Sequence, residues 1–498
     1  MLQIGWSSKV ISMEGPVAIT GQMHQRISKG ILDHNTLTAC VMSDGKDVTI
    51  LVSADLVSAS DGIICEIREA VHKRSSEIPV EKILLSATHA HTSPRYMRNL
   101  SYDKAPAEGV ELSNPEIYRV FLVNQAADAI VEAYESRKDG SFSYGYGYAV
   151  VAHHRRPVYF DDLRLRPGKK CPTSLAVDKH AQMYGNTDDM MFSGYEGPVD
   201  SIVNFLFTFD ANGKLNGAII NVPCPSQNSE HESLLTADYW TQVRTLIREK
   251  YGDIYILSQC ASAGDMSPRT LHYKRAEDRK YALKYADYHI PEVKREKEIY
   301  NRCEIAERIM NAFDEVYAWA SKEKITEAQV THHVKVFQLD AWKITEEQYR
   351  HACEEYENYK QVPFVQTEDP YEDYKVNTKH SSVLSRYENI MERYKNNQDY
   401  VEVECHIIQI GDIAICSNPF ELYIIYQHRI QARSPYVQTF VVQLAASIDE
   451  AGYLCTAPAA ENMGYSANIY SCNVSPEGGN CLVEETLKEL EAIKNESV

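Results

Sequence analysis

The sequence predicts an α/β protein with a large mixed central sheet flanked by helices and a mostly helical insertion. Short apolar runs that read as buried strands break repeatedly into polar loops, and segments of helical periodicity separate them. Over residues 271–400 the composition shifts to Lys, Glu and Tyr, and helical patterning takes over. A chain of 498 residues exceeds what one small core serves. Three segments follow: 1–270 as the first part of the α/β domain, 271–400 as a largely helical excursion outside the sheet, and 401–498 as the remainder of the α/β domain.

In chain order, residues 36–42 and 48–54 read as a hairpin around Ser43-Asp44-Gly45-Lys46. Ile63, Ile64, Ile67, Ala70 and Val71 recur at helical spacing and lead into the apolar run Ile83-Leu84-Leu85-Ser86-Ala87, a βα unit. Ser113-x-x-Glu116 is a capping-box pattern, with Pro115 suited to a first helical turn. Residues 138–196, rich in Gly, Tyr and Arg, read as loops and short strands. Strands at 203–210 and 218–222 flank the turn Asp210-Ala211-Asn212-Gly213, and a helix at 240–250 precedes a strand at 253–258. Within the insertion, 332–339 is a strand, while 362–377 combines Pro with acidic residues and no periodicity, as a lid-like loop does. Strands resume at 401–410, 413–416 and 438–444, and a Leu/Glu/Lys helix follows Cys481.

Fifty-one Lys and Arg stand against 70 Asp and Glu, a formal net charge of −19. That balance argues against nucleic acid or an anionic membrane as the main partner. The N-terminal residues lack a basic stretch followed by an apolar core, and no apolar run is long enough to cross a bilayer, so the expected location is cytoplasmic. The twelve cysteines are scattered without C-x-x-C pairs and read as reduced, mostly buried thiols.

Five apolar strands run in turn into His89 and His91, Cys224, Asp265 and Ser267, Glu421, and Tyr453. An α/β sheet gathers such strand ends along one edge, where ligands bind. Imidazole, carboxylate and phenolate all suit zinc. His-x-His alone describes two ordinary surface histidines equally well, so its weight comes from the other four strand ends.

These residues resemble a known family. Ala87-Thr88-His89-Ala90-His91-Thr92-Ser93-Pro94 is similar to the T-H-T-H-S/A-x-P of the neutral/alkaline (non-lysosomal) ceramidases. Gly264-Asp265-Met266-Ser267-Pro268 resembles their G-D-V-S-P, Pro419-Phe420-Glu421 their P-G-E, and Tyr453-Leu454-Cys455-Thr456 with Tyr465 their Y-x-T-T…R-Y. Order and spacing agree along nearly the whole chain with that family's N-terminal catalytic domain. The resemblance implies a Zn2+-dependent amide hydrolase. His89, Glu421 and Tyr453 are then metal ligands, and His91, Ser267, Tyr465 and Arg155, with Arg156 competing, contact substrate or the transition state. Asp265 joins the catalytic candidates, with bracing of its own loop as the alternative.

Two departures shape the expectation. The family carries another zinc-binding histidine after the strand that here reads Ile220-Asn221-Val222-Pro223-Cys224, and none stands there. Cys224 is the nearest possible replacement, since a thiolate binds zinc strongly, with His231 the second choice and a merely buried thiol the alternative. The residues after Tyr465 leave no room for the family's separate C-terminal immunoglobulin-like domain, which makes a membrane lipid an unsuitable substrate. The leading expectation is a metal-dependent hydrolase of a soluble, hydroxyl-rich amide. A carbohydrate hydrolase follows, because 33 Tyr against 12 Phe suits sugar binding. A non-catalytic binding protein of the same fold is third.

Overall fold

The computed structural model describes residues 1–59, 62–167, 178–447 and 452–496. Two sheets form the centre. The larger has strands β1 (Gln3–Val10), β2 (Thr36–Ser43), β3 (Val48–Ala54), β4 (Ile83–Ala87), β5 (Lys138–Tyr148), β6 (Ile202–Asp210), β7 (Leu215–Val222) and β8 (Tyr255–Cys260), in spatial order β8-β7-β6-β5-β1-β2-β3-β4. The smaller holds β9 (Val330–Asp340), β10 (Tyr400–Ile410), β11 (Ile413–Ser417) and β12 (Gln438–Val442), in that order.

Every parallel pairing between these strands belongs to a βαβ unit. The pair β3/β4 is joined by helix α1 (Ile63–Arg74) and β7/β8 by α3 (Tyr239–Tyr251), with α2 (Pro115–Glu135) between them in the chain. In the second sheet β11/β12 is joined by α8 (Ile424–Arg433). The sheets face each other across an apolar layer in which Ile4, Leu51, Leu84 and Leu206 meet Ile408, Ile415 and Phe440. Helices α1 and α2 cover β2 to β4 on the outer face of the large sheet, and α3 with α5 (Glu296–Ala320) covers β6 to β8. Helices α8 and α10 (Pro476–Glu496) cover the small sheet. The result is four layers, each burying one apolar face. Helices α4 (Lys274–Lys284), α6 (Glu346–Lys360), α7 (Pro370–Asn396) and the short α9 (Ala457–Asn462) complete the set among the described residues.

The mixed sheet, the 36–54 hairpin, the His-x-His strand and the helix-rich insertion match the sequence reading. Four details differ. Residues 138–148 form an eleven-residue central strand, β5, not loops. Its glycines disguise it, and they are needed: a Cβ at Gly145 would lie 2.4 Å from the Trp319 ring and one at Gly147 2.8 Å from Val316, both on α5. Residues 271–400 do not lie wholly outside the sheet, because they supply β9 as an edge strand and α5 as a core helix. Helix α2 is capped by Asn114, whose side chain accepts from Glu116 N–H, in place of the Ser113 capping box. Part of 362–377 is helical: α7 begins at Pro370, and Asn377 pins the preceding loop through both main-chain groups of Val365.

Candidate active site

The carboxyl ends of β4, β8, β11 and β12 meet at one corner. Ala87 N–H donates to Leu444 O, Ala446 N–H to Leu85 O, Gln443 N–H to Cys260 O and Asn418 N–H to Val442 O. His89 follows β4 with φ 64, in the left-handed region, and this turn brings its ring back over the corner. Its Nδ1 lies 2.8 Å from Val57 O, which makes that nitrogen the donor and turns Nε2 into the site. Nε2 is 3.3 Å from Glu421 Oε2 and 3.1 Å from His91 Nε2.

Glu421 sits just past β11, on a two-residue parallel ladder that pairs it with Tyr453. Burial pushes its carboxyl up, but His89 and Arg155, with a hydrogen bond from Tyr453, outweigh burial and hold it down at about 2. Burial, reinforced by Glu421, raises the Tyr453 phenol well above its usual range, against the pull of Arg155. Arg155 donates to Gly264 O at 2.7 Å, lies 3.9 Å from Glu421 and stacks over the Tyr453 ring. The Tyr465 ring meets Tyr453 edge-on, with centroids 5.6 Å apart.

A cavity of about 300 Å³ opens against this cluster, lined by His91, Arg155, Tyr184, Glu230, Tyr453 and Tyr465. Glu230 was not singled out in the sequence. It stands 3.2 Å from His91 Nδ1 and forms an ion pair with Arg269, and these partners hold its buried carboxyl well below the carboxylate range. His91 is itself pushed down by burial, against the pull of Glu230, so it is neutral at pH 7. The only sequence signal for Glu230 was its place beside His231, in the loop searched for a replacement ligand.

Several expected site residues lie elsewhere. Cys224 does not join the cluster: its Sγ points into the helix-covered core and donates to Val151 O at 3.3 Å, and burial raises its thiol well above the usual range. The chain bends at Pro223-Cys224-Pro225 so that Tyr239 donates to Cys224 O. His231 is half-exposed beside Glu230. Asp265 braces its loop, accepting from Ile424 N–H at 2.9 Å and facing His154 at 3.5 Å. Ser267 Oγ accepts from Arg269 N–H and so sets the loop that brings Arg269 to Glu230. Arg156 is structural: fully buried, it pairs with Glu196 and donates to Tyr465 O and Met463 O.

Among the described residues, no group of three or more His, Cys, Asp or Glu is arranged around one point for a metal ion. His89 and Glu421 offer two suitable donors, and Tyr453 is placed to be a third. Their 3.3 Å N···O separation equals the edge between ligands that share a tetrahedral zinc at about 2.0–2.1 Å. The residues therefore fit a cation held by His89, Glu421 and Tyr453.

Four layers, with a buried His–carboxylate cluster at the carboxyl ends of parallel strand pairs, define the architecture. No protein-family model matches the chain, and no curated protein does. Among solved structures, the neutral ceramidase of Pseudomonas aeruginosa superposes with a TM-score of 0.64 at 15% identity, covering 99% of this chain and 75% of that one. A ceramidase described as complexed with C2 gives a TM-score of 0.64 at 14% identity, with the same coverage. The fold of this protein is that of neutral ceramidase.

Proposed function

We propose that the protein is a zinc-dependent hydrolase that cleaves the amide bond of a soluble N-acyl compound. The observation that carries this reading is the His89–Glu421 pair, with Tyr453 hydrogen-bonded to Glu421, in a fold shared with neutral ceramidase. A zinc ion held by His89, Glu421 and Tyr453 would supply Lewis acidity toward a carbonyl oxygen and toward water. His91, neutral and oriented by Glu230, is the proton acceptor for the attacking water and can return that proton to the departing amine. Arg155 places a fixed positive charge beside Glu421 and Tyr453, where negative charge develops. Gly21 lets the 20–21 turn lie against His91, since a Cβ there would fall 2.6 Å from the ring.

Apolar surface predominates in the cavity, with His91, Arg155, Gln227 and Glu230 as polar partners, and its volume of about 300 Å³ favours a small amide over a two-chain lipid. The test is elemental analysis of the purified protein, with turnover of short-chain N-acyl sphingosines and N-acylated amino sugars measured in parallel. One zinc per chain, lost in His89→Ala, with release of amine from the polar amide, is the expected result. Stoichiometric zinc with no amide turned over would reject the reaction, and absence of stoichiometric metal would reject the mechanism.

A further inference from the structure

A second cavity, of about 640 Å³, adjoins the first: Gln22 and Glu230 line both. Its walls come from the 16–29 segment, the 230–233 loop, the start of α5 and the start of α7. In a chain of net charge −19 this space gathers cations, among them Arg26, Lys29, Lys294, Arg295 and Lys375. We propose that it receives an anionic group (a carboxylate, sulfate or phosphate ester) carried by the substrate whose amide lies against His91. This rests on the amidase reading above and narrows its substrate class.

The argument is a pairing of charges. The carboxylates on the wall are already engaged. Glu230 pairs with Arg269 and His91, Asp369 accepts from Tyr371 and Glu372 N–H to cap α7, and Glu372 pairs with Lys375 at 3.0 Å. Arg295 lies 3.4 Å from Glu298. Among the described residues this leaves Arg26, Lys29 and Lys294 without a carboxylate at ion-pair distance.

Arg26 is the most telling of the three. It is only 6% exposed, its guanidinium donates to the carbonyls of Glu232, Thr20 and His91, and its buried Nε has no hydrogen-bond partner. Burial lowers the guanidinium even though Glu230 and Glu298 act on it from beyond ion-pair distance, so an anion brought into the cavity would stabilise its charge. Lys29 and Lys294 stand at the exposed rim, as point charges that capture an anion do. Two histidines also line the cavity. His24 and His231 are each lowered to about 4, by burial first and then by neighbours that include Arg26, with Glu230 opposing at His231.

Two measurements on the full chain test the proposal. Calorimetric titration with inorganic sulfate should give saturable one-to-one binding that weakens as chloride is raised, and the rim variant Lys29→Gln/Lys294→Gln should weaken it roughly ten-fold or more at low salt. Rim charges are exposed, so the variant should keep the wild-type melting temperature. Amide cleavage of an N-acetylated amino sugar and of its 6-sulfate should then favour the sulfate in kcat/KM, and the preference should collapse in the variant. Absence of saturable sulfate binding, binding unchanged in the variant, or equal kcat/KM for the two sugars would each overturn the proposal. Sulfate binding lost in the variant, with neither sugar cleaved, would leave the anion site standing and reject the amidase reading.

Discussion

The Nε2 atoms of His89 and His91 face each other at 3.1 Å, with their rings edge-to-face. Val57 O accepts the Nδ1 proton of His89, which turns its Nε2 toward His91 and Glu421. Two bare nitrogens at that distance would repel each other, so a proton of either ring or a shared cation must lie between them. Glu421, 3.3 Å from the same nitrogen, adds a negative charge to that space.

Glu421→Gln should therefore act twice. It removes the charge that the cation would meet and leaves Arg155 buried without its counter-charge. Zinc content and kcat/KM should fall together, the latter by roughly 100-fold or more, and the melting temperature should drop as a broken buried ion pair requires. Retention of both activity and metal in this variant would exclude Glu421 from the site.

Cys224→Ser should leave zinc content and activity unchanged, since the thiol faces the core and donates to Val151 O. The hydroxyl can make the same hydrogen bond, and the cost should be about 1 kcal/mol of stability. Loss of metal in this variant, with the fold intact by circular dichroism, would return the cysteine to the ligand set.

Gly264→Ala should disable the site without touching a reacting group. A Cβ there would lie 2.2 Å from Glu421 O, a backbone atom that cannot rotate away. Relief requires the Glu421 segment to shift, at roughly 1–3 kcal/mol. A urea melt combined with a rate measurement should show activity falling more steeply than stability.

Stability should decline as pH falls from 7.5 to 5.5. His332 and His406, on adjacent strands of the small sheet, are buried with 2.8 Å between Nε2 and Nδ1, and burial lowers both. The unfolded chain takes up protons near 6.5 that the folded protein refuses, so each histidine should cost up to about 1.4 kcal/mol per pH unit below that value. Glu404, which His406 and Arg68 hold down at about 2 against burial, acts in the same direction but at lower pH. Its stabilisation is complete above the ordinary carboxylate value and fades only as pH falls toward 2, outside this window. Urea midpoints across the range should show a shallower slope for His332→Gln. An equal slope in wild type and variant would count against the assignment.

The sequence was legible where period and chemistry coincide. Ile83 to Ala87 had to be a buried strand, and the polar residues beyond it had to lie at a sheet edge. The residues at 89, 421 and 453 converge because three parallel strand pairs deliver chain ends to one corner. Legibility failed where a neighbour distant in sequence sets the local structure. Gly145 and Gly147 look like loop residues until α5 is laid across them. Cys224 looks like a ligand by position, yet the main-chain bend between two prolines decides which way its side chain faces, and no pattern of residue types encodes that bend. Glu230 and Arg269 needed two separate loops to meet before either had a role.

The pairing of Glu421 with Tyr453 and the seating of Gly264 under Glu421 also bear on synthesis. A ribosome delivers His89, His91 and Glu230 long before Glu421, and the inner face of the eight-stranded sheet emerges before most of the smaller sheet that covers it. A nascent chain at that stage displays Leu51, Leu84 and Leu206 to water, the kind of surface that chaperones hold. Assembly of the site is thus tied to completion of the last strands, and an interrupted translation product would be a client for degradation, with half of the site missing.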